Sequence, residues 1–197
     1  VDDGFDILKI ASCSVTDWPL LEKIATQRLP VIASIGGSND DEISSVTAFF
    51  SHRNIDLALL ACVGMYPTSV DDLSVAMVAE LVRRYPDVQI GFSTHEDASE
   101  RVAGAMAYAA GARIFEKHVA LPTDAYPKNA YSVDRAECEA WLEGLVHGIR
   151  AYGSLARRTE NLEAERCSLR PLMRAAYASR ALNPGDFLTL DAIYLAI

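Results

Sequence analysis

The sequence alternates short apolar segments with longer amphipathic ones, and this alternation limits the possible folds more than any other feature. The apolar segments predict five strands, at residues 7–12, 31–35, 57–62, 89–93 and 113–118. Their first residues lie 24 to 32 positions apart, which leaves room for a crossover helix after each strand. Nearly continuous apolar strands are typical of a parallel sheet that is buried on both faces. The pattern predicts an α/β fold of repeated βα units, either a barrel or a doubly wound sheet.

The segments between these strands carry apolar residues at the three- to four-residue spacing of amphipathic helices. The expected helices lie at 17–25, 39–50, 70–85 and 98–110, with a longer one at 135–155. Asp17 and Asn39 are suitable N-caps for the first two helices, and Pro86 and Gly111 are stop signals for the third and fourth. Each strand is therefore followed by a helix, as a parallel sheet requires.

The pattern changes after the fifth helix. Residues 157–167 are mostly polar and predict a linker. Residues 168–197 contain short β-like pieces and the turn sequence Asn-Pro-Gly-Asp at 183–186, which indicate the start of a small second domain. We therefore expect βα units over residues 1–156, a linker over 157–167 and a second domain from 168 onwards.

Composition narrows the functional classes. Half of the residues are hydrophobic, which excludes intrinsic disorder, and no apolar run approaches the ~20 residues of a membrane span. The net charge of −9 argues against nucleic acid or an anionic membrane as the main partner. The four cysteines share no metal-binding or disulfide spacing, which is typical of a protein of the reducing cytoplasm. Because the chain begins at Val1 without a Met or a signal sequence, we expect further residues upstream.

Two histidines occupy equivalent places in the predicted sheet. The active site of a parallel α/β fold lies at the carboxyl ends of the strands, and His95 and His118 lie at or just beyond the ends of the fourth and fifth strands. Imidazole is a common ligand of divalent metals, so the pair fits either a shared metal ion or two ordinary polar loop residues. His52 and His147 fall on predicted helices and are expected at the surface.

Hydroxyl and ammonium groups at the same edge predict an anion site. Ser12, Ser34 and Ser93 each lie at the end of a strand. Lys9 lies in the first strand, on the opposite face from its apolar neighbours, and is expected either to face a ligand or to pair with Glu116 or another carboxylate. Side chains of these types that converge at one rim can bind a phosphate group.

Three further residues lie near the strand ends, and for two of them, Lys117 and Tyr66, the sequence leaves two interpretations open. Lys117 is expected either to pair with Glu116 or another carboxylate, or to lie at an edge with its amine in water. Cys62 is expected to be a small apolar strand-end residue, and Tyr66 either lines the pocket mouth or only ends its strand. The sequence contains no Walker, GxGxxG, GxSxG or HExxH motif, so ATP-dependent phosphoryl transfer, dinucleotide redox chemistry and serine hydrolysis have no support.

At these strand ends the sequence resembles the N-acetylneuraminate (sialic acid) synthase family, and more closely its branch of spore coat polysaccharide biosynthesis protein E. The matching segments, in chain order, are LKIASCSVTDWPLLEKIA, PVIASIGG, LALLACVGMYPT, IGFSTHED and FEKHVALPTD. The resemblance continues through SLRPLMRAAYASRALNPGDFLTLDAI, which is similar to the first part of the family's C-terminal antifreeze-like (SAF) domain. It begins at the family's fourth strand.

The resemblance implies a TIM (βα)8 barrel, of which this chain carries the five C-terminal βα units. It implies a metal-dependent synthase that condenses phosphoenolpyruvate with an N-acylated hexosamine aldehyde such as N-acetylmannosamine, giving a nine-carbon 2-keto sugar acid and phosphate. The metal is Mn²⁺ or Mg²⁺, and family members are commonly homodimers. On the family pattern His95 and His118 are metal ligands and catalytic residues, and Lys9 is catalytic as well. The same pattern implies that phosphoenolpyruvate contacts Lys9, Ser12, Ser34 and Ser93. It also implies that Tyr66 lines the side of the pocket that holds the sugar.

The chain also departs from the family pattern. The family's Ser-Asp-His is Ser-Thr-His at 93–95, and its Pro-Asp-His element is Pro-Lys-Asn at 127–129, so the acceptor sugar is not defined.

The alternatives to a synthase are a non-catalytic or truncated barrel fragment and a different barrel aldolase with Lys9 or Lys117 as a Schiff base. We expect the isolated chain to lack synthase activity, because the family's first three strands, with a catalytic acid and a second lysine, have no counterpart in it.

Overall fold

The structure is a computed structural model that describes residues 4–196. The described residues up to Tyr152 form one compact unit, and those from Gly153 onwards form a second. The strands of the first unit are β1 (Leu8–Ile10), β2 (Val31–Ser34), β3 (Leu57–Cys62), β4 (Gln89–Thr94) and β5 (Ile114–Lys117). Its helices are α1 (Trp18–Ala25), α2 (Asp40–Ser51), α3 (Ala76–Arg84), α4 (Ala103–Ala110) and α5 (Arg135–Tyr152).

The five strands form one parallel sheet in the order β1-β2-β3-β4-β5, which confirms the α/β prediction. The order never reverses, whereas a doubly wound sheet has a switch point from which the strands run outwards in both directions. A sheet in which each new strand adds to the same edge is the arrangement of a (βα) barrel. The first unit therefore consists of consecutive βα units of a partial TIM barrel.

The sheet is curled, as one ion pair demonstrates. β1 and β5 are its two edges, and four strand spacings separate them by roughly 19 Å in a flat sheet. Lys9 Nζ in β1 nevertheless lies 3.2 Å from Glu116 Oε2 in β5. Extended lysine and glutamate side chains are too short to meet across a flat sheet of this width. The sheet therefore curves towards the face that carries Lys9 and Glu116.

The helix ends follow from local hydrogen bonding. Asp17 accepts a hydrogen bond from the backbone N–H of Leu20, and Asn39 forms a capping box with Glu42, so both predicted N-caps are confirmed. Gly111, at φ 117°, ends α4 as expected.

Two helices begin later than the sequence predicts. The helix predicted from residue 70 starts at Ala76, after a 3-10 turn at Val70–Asp72 and a left-handed Ser74 with φ 47°. The helix predicted from residue 98 starts at Ala103, because Glu100 accepts hydrogen bonds from the backbone N–H groups of residues 102 and 103. Side chains that bind nearby backbone in this way compete with the helix.

The core lies between the convex face of the sheet and the helices that cover it. Leu21 of α1 and Phe50 of α2 have no exposed surface, and Leu59 of β3 is equally buried. The strand residues of opposite parity point to the concave face, where the polar side chains described below lie.

The second unit begins with α6 (Leu155–Glu160) and α7 (Leu162–Leu169), so the segment that the sequence predicts as a linker is helical. Two antiparallel strands follow, β6 (Ala175–Ala178) and β7 (Ile193–Ala196). Within residues 4–196, none of the helices has the length and apolar character that crossing a membrane would require.

Candidate active site

A cavity of about 460 Å³ opens at the carboxyl ends of the strands, on the concave face of the sheet. All five strands, or the turns that follow them, contribute to it. Its lining consists of Lys9, Ala11, Ser12, Ser34, Cys62, Tyr66, Ser93, His95, Glu116, Lys117, His118 and Val119. The seven residues that the sequence analysis singled out as site residues therefore surround one cavity.

His95 is buried and its ring is held in one orientation. Its Nδ1 lies 3.0 Å from the carbonyl oxygen of Val63. Because a carbonyl oxygen only accepts hydrogen bonds, Nδ1 carries the proton and Nε2 keeps its lone pair. Burial lowers the pKa of His95 below its usual range, and the charges of His118 and Lys117 lower it further, against a smaller opposite effect of the Val63 carbonyl. The imidazole is therefore neutral at pH 7 and suited to bind a cation.

His118 lies next to His95, with 5.0 Å between the ring centroids. Two imidazoles at this separation, one with a fixed tautomer, have donor chemistry that suits a divalent transition-metal ion. In the described part of the chain, no set of three or more His, Cys, Asp or Glu side chains is placed to hold a metal ion. A metal here would thus take two protein nitrogens from these residues and leave its other positions for water or substrate.

Glu116 links two of the proposed anion-binding residues. Its Oε2 lies 3.2 Å from Lys9 Nζ, and its Oε1 accepts a hydrogen bond of 2.8 Å from the hydroxyl of Ser93. Ser93 and Glu116 are register partners on β4 and β5, which brings their side chains to the same face. Lys9 and Glu116 remain about one-third exposed, so this ion pair is accessible to a ligand that enters the cavity.

Ser12 and Ser34 provide hydroxyl groups on the other side of the cavity. The Ser12 oxygen accepts a hydrogen bond of 3.0 Å from the N–H of Gly36, which follows β2. The Ser34 hydroxyl is buried and has no hydrogen-bond partner. A buried polar group without a partner is costly, so Ser34 is ready to bind a polar ligand.

Aromatic rings form a wall beside the two histidines. The Tyr66 ring centroid lies 4.2 Å from that of His95, and the Tyr131 centroid lies 5.2 Å from those of His118 and Tyr66. Burial is the largest of several effects that raise the pKa of Tyr66, so its phenol keeps its proton at pH 7. The wall therefore offers ring faces and at least one hydroxyl donor to a ligand.

Lys117 is not an edge residue with its amine in water, contrary to one of the two expectations. Its side chain is only 4% exposed, and its Nζ lies 3.0 Å from Oε1 of Glu96, whose side chain is 1% exposed. The other expectation, a carboxylate partner, is correct, although the partner is Glu96 and not Glu116. A Schiff base needs an uncharged amine that reaches the substrate, whereas the amines of Lys9 and Lys117 are each engaged by a carboxylate.

Sequence reasoning considered Glu116 only as a partner for the strand lysines, which is correct for Lys9, and it missed the contributions of Tyr131 and Cys62 to the site. The signal for Glu116 was present, because an acid in an apolar strand two residues before His118 shares its face. Cys62 lies 3.9 Å from Nδ1 of His95 rather than being only an apolar strand end. Tyr131 belongs to a long loop, and no periodicity could assign it to the site. His52 and His147 are exposed on helix surfaces, as expected.

The chain is similar to several known proteins. The model of the NeuB family matches residues 2–157. Pseudaminic acid synthase of Campylobacter jejuni is 28% identical over 187 residues, which are 94% of this chain and 53% of that protein.

Two solved structures are also similar. One is described as spore coat polysaccharide biosynthesis protein E from Chromobacterium violaceum, with 42% identity and a TM-score of 0.80 over 98% of this chain and 57% of that one. The other is N-acetylneuraminic acid (sialic acid) synthetase from Leptospira borgpetersenii in complex with citrate, with 30% identity and a TM-score of 0.71 over 85% of this chain and 59% of that one. The chain thus spans little more than half the length of the proteins it matches.

Proposed function

Because this chain belongs to the NeuB family, we propose that it carries the phosphoenolpyruvate and metal sites of a sialic-acid-type synthase. The reaction condenses phosphoenolpyruvate with an N-acylated hexosamine aldehyde, consumes one water molecule, and yields a nine-carbon 2-keto sugar acid and phosphate. Its product serves surface or spore coat polysaccharide biosynthesis. The observation that carries this proposal is the convergence of two imidazoles, one lysine and three serines on one cavity at the strand ends.

The anion end of the cavity holds phosphoenolpyruvate. Lys9 supplies a positive charge, and Ser12, Ser34 and Ser93 supply hydroxyl groups for the phosphate and carboxylate oxygens. The unpartnered hydroxyl of Ser34 supports this role, because a ligand oxygen gives it the hydrogen bond that it lacks. Glu116 balances the Lys9 charge until the substrate binds.

The histidine end of the cavity holds the metal and the sugar aldehyde. His95 and His118 are the proposed ligands of Mn²⁺ or Mg²⁺, and Val63 fixes the tautomer of His95 so that Nε2 is free to bind. The metal, when bound, polarises the aldehyde as a Lewis acid. Tyr66 orients the sugar against the wall beside the histidines. Substrate positions on either side of the cavity bring the enol carbon and the aldehyde carbon together, which lowers the entropic cost of bond formation.

We propose three further properties on the same basis. The protein acts in the cytoplasm as a homodimer, and residues 168–197 belong to an antifreeze-like (SAF) domain that follows the barrel. The isolated 197-residue chain binds phosphoenolpyruvate and Mn²⁺ but does not catalyse the reaction, whereas a longer protein that adds the family's first three strands to it does.

Calorimetric titration of the chain with phosphoenolpyruvate and with Mn²⁺ tests the binding part. We expect saturable binding of both, with phosphoenolpyruvate binding weakened in Ser34→Ala and unchanged in Ser51→Ala, which alters an exposed serine at the end of α2. Absence of binding of either ligand to the folded chain contradicts the proposal.

Release of inorganic phosphate tests the reaction. Phosphoenolpyruvate, Mn²⁺ and N-acetylmannosamine or another N-acylated hexosamine are supplied to the chain and to the longer protein. We expect phosphate release from the longer protein only.

Trapping of the chain with borohydride and a keto acid tests the alternative function of a Schiff-base aldolase, and we expect no adduct at Lys9 or Lys117.

A further inference from the structure

One charged pair at the edge of the cavity, of which Lys117 contributes to the lining, has no role in the substrate and metal binding proposed above. Lys117 and Glu96 form an ion pair with 3.0 Å between Nζ and Oε1, and both side chains are almost completely buried. In every other ion pair within residues 4–196, both side chains are at least 24% exposed. This pair is therefore set apart from those at the surface.

A contribution to folding stability does not explain why this ion pair is buried. Removing two charges from water is costly, and the attraction between them repays the cost only when further hydrogen bonds satisfy the remaining oxygens. Neither carboxylate oxygen of Glu96 accepts a hydrogen bond of good geometry, and the buried hydroxyl of Thr94 also lacks a partner. A well-packed apolar pair of the same size would serve stability at least as well.

Its position in the chain gives a better explanation. Glu96 directly follows His95, and Lys117 directly precedes His118. Alternation along β5 points the Lys117 side chain to the opposite side of the strand from Glu116, although Lys117 still contributes to the cavity lining, and the pair joins the two strand ends at the edge of the cavity. The Lys117 amine also donates to the backbone carbonyl of Glu96 over 3.2 Å. The pair thus connects the two backbone segments from which the imidazoles project.

A second contact supports the same segment from the other side. The N–H of Thr68, in the loop after β3, donates to the carbonyl of His95 over 3.0 Å. The backbone at residues 95 and 96 is therefore held from β5 by Lys117 and from the β3 side by Thr68. The ring of His95 is held separately by the Val63 carbonyl. His118 is exposed, and within residues 4–196 its ring forms no hydrogen bond with a backbone carbonyl. Its position depends on the end of β5 and on the N–H of Val133, which donates to the carbonyl of His118 over 2.9 Å.

We propose that the Lys117–Glu96 ion pair is a positioning device that sets the separation and orientation of the His95 and His118 rings, and through them the affinity for a divalent metal. The proposal rests on the metal-binding role of the two histidines in the proposed function. Groups that orient metal ligands without binding the metal typically change metal affinity by about 10- to 100-fold when they are altered.

The main variant is the double substitution Glu96→Leu/Lys117→Met, which replaces the ion pair by apolar side chains of similar size. We expect it to remain folded with an unfolding temperature at or above that of the wild type. We expect its Mn²⁺ affinity, measured by calorimetry, to fall by about 10- to 100-fold. In the metal-free chain we expect the imidazole ¹⁵N resonances of His95 and His118 to shift, while those of His52 and His147 stay in place and serve as internal controls.

Glu96→Asp provides a second variant that keeps both charges. Its side chain is shorter by one methylene, so the ion pair can form only if the two backbone segments move. We expect shifted His95 and His118 resonances and weaker Mn²⁺ binding here too, which tests the proposal even if the double variant fails to fold. Arg135→Met/Glu139→Leu is the matched control, because it removes an exposed ion pair on α5, and we expect no change in either readout.

Wild-type resonances and wild-type Mn²⁺ affinity in either folded variant overturn the proposal. Equal losses in the control double variant overturn it as well. If the wild-type chain does not bind Mn²⁺ at all, the metal part of the proposed function fails. The imidazole resonances of the metal-free chain still decide whether the ion pair positions the two histidines.

Discussion

Ser93 donates its hydroxyl hydrogen to Oε1 of Glu116 over 2.8 Å, between register partners on adjacent strands. The other oxygen of the same carboxylate lies 3.2 Å from the Lys9 ammonium of β1. One carboxylate thus connects residues from three strands across the cavity. An anion that enters the cavity competes with Glu116 for both partners.

The first prediction follows from this competition. Lys9→Met removes the positive charge of the anion site, and we expect the dissociation constant for phosphoenolpyruvate to rise by at least about tenfold. Glu116→Gln removes a negative charge near the bound anion, and we expect tighter binding, by about threefold. Calorimetric titration of the folded variants measures both. A rise in the dissociation constant of Glu116→Gln would show that the carboxylate is needed to orient Ser93 or Lys9.

The second prediction concerns the histidine pair. His95→Ala removes one of two neighbouring imidazole ligands, so we expect the Mn²⁺ affinity to fall by more than about 100-fold. His147→Ala is the control, because His147 is exposed on α5, and we expect unchanged affinity. Electron paramagnetic resonance of free Mn²⁺ gives the bound fraction. Equal Mn²⁺ binding by the two variants would exclude His95 as a ligand.

The third prediction concerns the packing of the sheet. A Cβ on Gly91 of β4 would lie 2.5 Å from the carbonyl oxygen of Ile114 and would overlap the side chain of Leu60. We therefore expect Gly91→Ala to lower the free energy of unfolding by about 2 kcal/mol or more, as measured by urea titration.

Gly64→Ala is the matched control for this substitution. A Cβ at Gly64 has its nearest heavy atom, the carbonyl carbon of Gly36, at 3.9 Å. We expect a change within about 0.5 kcal/mol. A Gly91→Ala variant as stable as Gly64→Ala would mean that β3, β4 and β5 can separate without cost.

The fourth prediction concerns the start of α2. The Asn39 side chain accepts a hydrogen bond of 3.0 Å from the backbone N–H of Glu42, and the Glu42 carboxylate accepts one of 2.8 Å from the N–H of Asn39. We expect Asn39→Ala to lower the free energy of unfolding by about 1 kcal/mol. Ser45→Ala, at an exposed position inside the same helix, should be neutral or slightly stabilising. Equal stability of the two variants in urea titration would show that the capping box contributes nothing.

The sequence alone predicts the order of strands and helices, because apolar periodicity and caps act over a few residues. Asp17, Asn39 and Gly111 mark helix ends for this local reason. The positions of His95 and His118 relative to the strand ends were predictable too. The late start of α4 was not, because it depends on side-chain hydrogen bonds of Glu100 that compete with the helix.

The tertiary structure decided which of these residues meet. The ion pair of Lys9 with Glu116 needs a curled sheet, and curvature is a property of five strands together and not of any one segment. Tyr131 reaches the histidines only through the path of a long loop. The partner of Lys117 is Glu96 rather than its neighbour Glu116, because adjacent strand residues point to opposite faces. Local spacing thus fixed the types of residue at the strand ends, whereas the curvature and the loops fixed their contacts.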